Sequence, residues 1–180
     1  MTLYGSKRLK PISYLENKGS AQCKSAVIFA GMRTEGTTFI KAKKSRNHTE
    51  LMCKYLKLPI IVRNKKIYDL IKIKKVKEIK PFDYIIPSDI SSGAFFIILT
   101  TLSKNSKLLI KNVNINPSRV AIISILKKMG AKITFQNQKI YKGEKIADIK
   151  VEGVKKLKAC LLYTSPSPRD RTRSRMPSSA

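Results

Sequence analysis

The feature that most constrains the fold is a pair of short segments that are apolar at every position, residues 26–30 and 94–99. Ser20 precedes the first segment and Asp89 precedes the second, and both residue types are preferred at helix N-caps. A helix without a polar face has to be buried on all sides. We therefore predict an α/β (α+β) fold with buried helices and lysine-bearing strands outside. This reverses the usual arrangement, in which helices cover a buried parallel sheet.

The chain also repeats one order of elements, helix–strand–helix–strand–strand, with an offset of about 70 residues that aligns residues 38–40 with residues 108–110. The apolar spacing and the capping residues predict helices over residues 20–32, from Ser45 or Asn47 to before Pro59, over 88–102 and over 116–129. Alternating and β-branched runs predict strands over residues 37–42, 60–63, 67–73, 107–113, 131–136, 139–141 and 146–152.

The start of the first helix is a candidate anion site. Residues 19–26 (GSAQCKSA) place small polar residues before the apolar segment. The first backbone N–H groups of a helix have no internal partners and lie at the positive end of the helix dipole. Ser20 adds a hydroxyl and Gln22 an amide, so a phosphate or carboxylate finds several donors. Taken alone, this segment favours a helix cap without a ligand over an anion site.

Charge and composition limit the other classes of function. The net charge of +27 attracts anions. However, the lysines are scattered, and no aromatic residues interleave with them as a base-stacking surface requires. Three separated cysteines and a single histidine predict neither a disulfide framework nor a zinc or histidine-based metal site. The longest apolar run, residues 93–102, is shorter than the roughly 20 residues of a membrane span. Without a leader-like start, we expect a cytoplasmic protein.

The final segment, residues 159–180, differs in composition from the rest of the chain. It has arginine but no lysine, no isoleucine or valine, and many serines and prolines. This change indicates a non-native, disordered tail of foreign origin, and a native basic tail is the alternative. We expect that the coding sequence was cut near Lys158.

Ordered motifs along residues 3–158 resemble those of the EPSP synthase family. They are PISY (11–14), GSAQCKSA (19–26), AG (30–31), EGTT (35–38), SRNHTE (45–50), PSDISS (87–92), NPSR (116–119), KMGA (128–131) and ADI (147–149). The Ser-Ala-Gln form resembles the bacterial branch that has Ala between Ser and Gln. One departure is Ser88, where the family usually has glycine.

The resemblance implies an inside-out barrel of repeated βαβαββ units, with helices buried, sheets outside and two lobes joined by a hinge near residues 84–89. Residues 1–86 would then form the later part of the N-terminal lobe, and residues 87–158 the start of the C-terminal lobe.

The resemblance also implies a transferase of aromatic amino-acid biosynthesis. It would move the carboxyvinyl group of phosphoenolpyruvate to the 5-hydroxyl of shikimate 3-phosphate and release phosphate, with no metal or organic cofactor. Ser20, Ala21, Gln22 and Arg46 match the substrate-binding positions of the family. An ion pair between Arg46 and Glu50 is the alternative for the arginine. Asp89 matches a family aspartate near the cleft between the lobes, and a helix cap explains this residue equally well.

No residue of this chain matches the acid/base positions of the family, so we name no catalytic residue. We expect a fragment without transferase activity, which a phosphate-release assay on the 180-residue chain tests. The full-length enzyme is expected to be a monomer that binds neither membrane nor nucleic acid. The sister UDP-N-acetylglucosamine carboxyvinyltransferase, a basic nucleic-acid-binding protein and a purely structural repeat protein stay open as alternatives.

Overall fold

The computed structural model describes residues 4–5 and 8–160. The tail prediction for residues 159–180 therefore falls almost wholly outside the described residues. The first half of the described chain contains β1 (Ser13–Glu16), α1 (Ala21–Met32), β2 (Thr37–Lys43), α2 (His48–Tyr55), β3 (Ile60–Asn64) and β4 (Tyr68–Lys74). The second half contains α3 (Ile90–Leu102), β5 (Lys107–Asn114), α4 (Ala121–Lys128), β6 (Lys132–Tyr141) and β7 (Glu144–Glu152).

Each half forms its own sheet with the same topology. Sheet A has the order β1-β2-β4-β3, in which β1 pairs parallel with β2 and the other pairs are antiparallel. Sheet B has the order β5-β7-β6 and is antiparallel. A single parallel bridge between Ser88 and Val113 stands where β1 stands in sheet A. The two halves are thus βαβαββ units, and the predicted repeat is confirmed.

Both helix caps form as the sequence predicts. The Ser20 hydroxyl accepts a hydrogen bond from the Cys23 amide, and the Asp89 carboxylate accepts one from the Ser92 amide. Each unit then buries its helices against the inner face of its own sheet. The core of the first unit centres on Ile28, Ile40, Ile71 and Ile73, and that of the second on Ile90, Ile97, Ile123, Ile149 and Val151.

The helices are not buried on every side in the described residues, so this part of the prediction is wrong for the chain as it stands. In α1, Phe29 is 55% exposed, and in α3, Phe95, Phe96 and Leu99 are each more than 60% exposed. The physical reason is that α1 packs on sheet A and α3 on sheet B, while the opposite face of each helix is open. The outer faces of the sheets are exposed as predicted, with alternating burial along β2.

Two further boundaries differ from the predictions. Residues 131–141 were expected to contain two strands, but β6 is continuous through a register shift after Gln136. Asn137 has a φ of +49° at this bulge, and its side-chain amide donates to the Asp148 carboxylate at 2.8 Å. Helix α4 begins at Ala121 rather than 116, because the Asn116 side chain accepts from the Ser118 amide and forms a turn first.

Candidate functional site

The turn between β1 and α1 is held by a buried carboxylate. Glu16 is 3% exposed and accepts hydrogen bonds from the Lys18 and Gly19 amides at 2.9 and 2.8 Å. Gly19 has a φ of +74°, a conformation that glycine adopts without strain. Burial raises the pKa of Glu16, but the backbone donors, including that of Ser20, outweigh it and hold the pKa below its usual value. The carboxylate is therefore ionised when it fixes the approach to α1.

Three contacts join the start of α1 to the start of α2. The Lys24 ammonium, which is fully buried, lies 2.6 Å from Glu50 Oε1 and donates to the Arg46 carbonyl at 2.9 Å. The Ser25 and Thr49 hydroxyls share a hydrogen bond of 2.7 Å. These contacts place the loop that carries Arg46 beside the first turn of α1.

A small hollow of about 240 Å³ lies between these two helix starts. It is lined by Ala21, Gln22, Ser25, Arg46, His48 and Thr49. Amide, hydroxyl and guanidinium donors are the groups that bind phosphate and carboxylate oxygens. Ligand pockets commonly measure about 300–1,000 Å³, so this hollow suits one anionic group of a ligand. We call it the anion hollow.

Three of the four predicted site residues meet in the anion hollow, namely Ala21, Gln22 and Arg46. Ser20 is outside its lining and serves as the N-cap of α1, with its Oγ accepting from the Cys23 amide at 3.2 Å. The alternative pairing of Arg46 with Glu50 is wrong, because Glu50 is paired with Lys24. The ion pairs formed among residues 8–160 do not include the Arg46 guanidinium, whose side chain is exposed. Substrate binding by the four residues stays a prediction.

The sequence interpretation missed Ser25, His48 and Thr49 as lining residues. A signal for Ser25 was present, since it follows Ala21 by four positions and Gln22 by three, and such residues share a helix face. His48 and Thr49 directly follow the Arg46 segment. Lys24 had no local signal, because its burial depends on Glu50 from a different helix.

His48 also connects the anion hollow to the second unit. Its Nδ1 lies 2.6 Å from Glu144 Oε1. A second contact between the units lies beside it, where the side-chain amide of Asn116 donates to the side-chain oxygen of Asn47 at 2.8 Å. Burial raises the pKa of Glu144, but hydrogen bonds from His48, Asn114 and Asn116 hold it below the usual value. An ionised carboxylate can only accept a hydrogen bond, so His48 Nδ1 carries the proton in this contact.

Asp89 has a local role at the start of α3. Its carboxylate accepts from the Ser92 amide at 3.1 Å and lies 2.6 Å from the Arg119 guanidinium. Burial raises the pKa of Asp89, but the Ser92 and Ser91 amides and the charge of Arg119 together lower it. The helix cap accounts for this residue.

Two other hollows among the described residues share no lining residue with the anion hollow, and one of them is also polar, with Lys44, Asn47 and Lys145 in its lining. A larger hollow of about 580 Å³ on the outer face of sheet A is lined mainly by apolar strand residues, and it shares no residue with the anion hollow. In the part of the chain that the structure describes, no three His, Cys, Asp or Glu side chains are grouped to hold a metal ion. No helix among the described residues has the length and hydropathy needed to cross a bilayer.

Comparison with known proteins identifies the family. The sequence model of the EPSP synthase (3-phosphoshikimate 1-carboxyvinyltransferase) family matches residues 2–168. The chain belongs to the EPSP synthase family. The matched range extends into the segment 159–180, whose foreign origin stays a prediction, as does the lobe boundary near residue 86.

Curated members of the EPSP synthase family match most of this chain. The 3-phosphoshikimate 1-carboxyvinyltransferase of Petrotoga mobilis is 39% identical over 153 residues, covering 84% of this chain and 35% of that protein. The protein of the same name from Caldicellulosiruptor bescii is 43% identical over 146 residues, covering 81% of this chain and 34% of that protein. The chain thus spans about a third of the length of these relatives.

Solved structures agree with the family fold. EPSP synthase from Acinetobacter baumannii superposes with a TM-score of 0.70 at 35% identity, covering 81% of this chain and 32% of that chain. The enolpyruvyl transferase NikO from Streptomyces tendae gives a TM-score of 0.54 at 18% identity, covering 84% of this chain and 37% of that chain. At that identity the second likeness shows the fold alone. The inside-out arrangement of βαβαββ units predicted from the sequence is therefore the fold of this family.

Proposed function

We propose that the protein is a 3-phosphoshikimate 1-carboxyvinyltransferase, which transfers the carboxyvinyl group of phosphoenolpyruvate to the 5-hydroxyl of shikimate 3-phosphate. The curated relatives support this reaction, and their names favour it over the UDP-N-acetylglucosamine and nucleic-acid alternatives. Because the chain spans about a third of these relatives, the proposal assigns to its residues one step, the binding of the substrate phosphate. The meeting of Gln22 and Arg46 in one hollow supports this assignment.

Arg46 supplies the largest part of the binding free energy in this proposal. Hydrogen bonds to charged groups contribute about 1.5–3 kcal/mol each, whereas the exposed start of a helix contributes about 0.3–1 kcal/mol. The guanidinium fork presents two parallel donors to phosphate oxygens. The Gln22 amide and the backbone at Ala21 then set the orientation of the phosphate. Ser20 supports this geometry as the cap of α1.

The other partner assignments extend the same proposal. The positive charge of the chain draws anionic substrates such as shikimate 3-phosphate and phosphoenolpyruvate toward the surface. We infer a cytoplasmic, monomeric full-length enzyme that needs no cofactor. Size measurement of the full-length protein in solution tests its oligomeric state.

In the experiment, the 180-residue chain is titrated with shikimate 3-phosphate, and binding is measured by calorimetry and by NMR. Arg46→Ala is expected to weaken binding by about 10- to 150-fold, the equivalent of 1.5–3 kcal/mol. Arg63→Ala is the matched control, because Arg63 is exposed on β3 and lies outside the anion hollow. It is expected to change binding less than twofold.

Equal effects of the two arginine substitutions would refute the assignment of the phosphate site. Shikimate without its phosphate is expected to bind weakly, because the anion hollow then lacks its charged ligand. Tighter binding of UDP-N-acetylglucosamine, or salt-dependent binding of random-sequence DNA in place of shikimate 3-phosphate, would support the alternative functions.

A further inference from the structure

Lys24 is an unusual residue for its position in the fold. It is 0% exposed, although it lies in the first turns of a helix that presents Gln22 and Cys23 to solvent. Lysine is almost never fully buried unless it is paired, because an ammonium loses its hydration on burial. The ammonium of Lys24 has two partners, the Glu50 carboxylate and the Arg46 carbonyl. Its position therefore depends on the loop before α2 and on α2 itself.

The Lys24–Glu50 pair is poorly arranged for stability alone. Glu50 is 2% exposed, and its Oε2 has no hydrogen-bond partner among the described residues. The ammonium approaches Oε1 to 2.6 Å as a charge contact that falls outside hydrogen-bond alignment. Buried ion pairs of this kind are often replaced by apolar residues without loss of stability. A pair of apolar side chains would lack one feature, the hydrogen bond to Arg46.

That hydrogen bond joins two parts of the anion hollow. Lys24 follows Gln22 by two positions on α1, and its ammonium donates to the main chain of Arg46 at 2.9 Å. The Gln22 and Arg46 side chains line the hollow, whereas Lys24 does not. The Ser25–Thr49 hydrogen bond of 2.7 Å forms a second link between the same two helices. The Lys24 hydrogen bond is thus one of two links between the helix that carries Gln22 and the segment that carries Arg46, and it is the one made to Arg46 itself.

We propose that Lys24 is a positioning residue, which holds Arg46 against the start of α1 so that the guanidinium and the Gln22 amide bind one phosphate group together. This proposal rests on the proposed function of the anion hollow. Glu50 balances the charge of Lys24, so the net positive charge that faces a ligand belongs to Arg46. A purely structural role for the pair predicts instead that affinity falls only in those variants whose free energy of unfolding also falls.

The test compares single and double substitutions in the 180-residue chain. Lys24→Met leaves the Glu50 carboxylate buried without its partner, so we expect a lower urea midpoint and weaker binding of shikimate 3-phosphate. The double variant Lys24→Met with Glu50→Leu removes both charges and is expected to regain the wild-type midpoint. It nevertheless lacks the hydrogen bond to Arg46, so we expect at least fivefold weaker binding at unchanged stability.

A double-mutant cycle with Arg46→Ala separates positioning from structure. If Lys24 acts through Arg46, Arg46→Ala has a smaller effect in the double variant than in the wild type. Wild-type affinity of a folded double variant, or losses that multiply independently, would overturn the proposal. Glu50→Gln keeps the Lys24 donor, so this variant replaces the double variant in the test if the double variant does not fold. Retained binding by Glu50→Gln supports the proposal, and a loss equal to that of Lys24→Met overturns it.

Inorganic phosphate distinguishes this proposal from the proposed function. Phosphate titration of the wild type, followed on the Arg46 side-chain N–H resonance, tests the anion hollow without assuming a substrate. One outcome is that phosphate binds, that the Lys24 variants bind phosphate more weakly, and that shikimate 3-phosphate does not bind. In that case the proposed function fails and the positioning role stands. Absence of any anion binding would refute both.

Discussion

Gly31 offers the sharpest test of how α1 is seated on sheet A. A Cβ atom at Gly31 would lie 2.5 Å from Ile73 Cγ2 and 3.2 Å from Thr38 Cβ. Ile73 is 0% exposed and Thr38 is 2% exposed, so neither can move away without disturbing the core. Overpacking of this kind costs about 1–3 kcal/mol. Alanine is better than glycine in a helix by about 0.5–1 kcal/mol, so the clash outweighs the gain.

We therefore expect Gly31→Ala to lower the free energy of unfolding by about 1–2 kcal/mol. For a urea slope of about 2 kcal/mol per molar, the midpoint should fall by roughly 0.5–1 M. Circular dichroism during urea titration measures this change. The slope must stay constant for the comparison to report stability alone.

Gly93 provides the matched control, because it is also a glycine within a helix. Its added Cβ would meet Ile110 Cδ1, the far end of a flexible side chain, at 3.3 Å. Gly93→Ala should therefore leave the free energy of unfolding unchanged or raise it by the helix gain, up to about 1 kcal/mol, and the urea midpoint should stay the same or rise. A midpoint for Gly31→Ala equal to or above that of the wild type would refute the close approach of α1 to sheet A.

Three further predictions concern single side chains. Burial, reinforced by Glu50, raises the pKa of Cys53 to about 11, so Ellman's reagent at pH 8 should modify the exposed Cys23 and leave Cys53 intact until the chain unfolds; rapid modification of Cys53, mapped by mass spectrometry, would contradict this. The pKa of Glu144 is lower in the folded state, so its contribution is present above the unfolded value of about 4.3 and is lost as the pH falls through the folded value. Glu144→Gln should thus be less stable than the wild type at pH 7 and should lose less stability on acidification. Parallel curves of the free energy of unfolding against pH for the wild type and the variant would refute this. Asp89→Ala removes the cap of α3 and should cost about 1 kcal/mol in urea unfolding, whereas Asp89→Ser should retain most of the cap; equal losses would contradict the capping role.

The order of elements could be predicted because its signals are local. Ser20 and Asp89 stand directly before α1 and α3, and each accepts a hydrogen bond from an amide three residues later. The offset of the repeat could be predicted because the apolar pattern of the strands recurs at the same spacing in both halves. The bulge in β6 was missed because Asn137 is held by Asp148 of another strand.

The candidate site was only partly predictable for the same reason. Gln22 and Arg46 were identified as separate motif positions, and their meeting in one hollow depends on how α1 and α2 pack. His48 contacts Glu144 across 96 positions of sequence, and Lys24 contacts Arg46 across 22. Neither contact leaves a pattern near either residue.

The sequence by itself determined the caps, the repeated βαβαββ layout and the family, because these depend on neighbouring residues and on the periodicity of burial. Tertiary structure alone decided that Lys24 is buried and that the faces of α1 and α3 opposite their sheets are open. It also brought the Arg46 loop to the first turn of α1. The physical reason is that the free energy of a charge or an apolar face depends on what packs against it, and those partners come from distant parts of the chain.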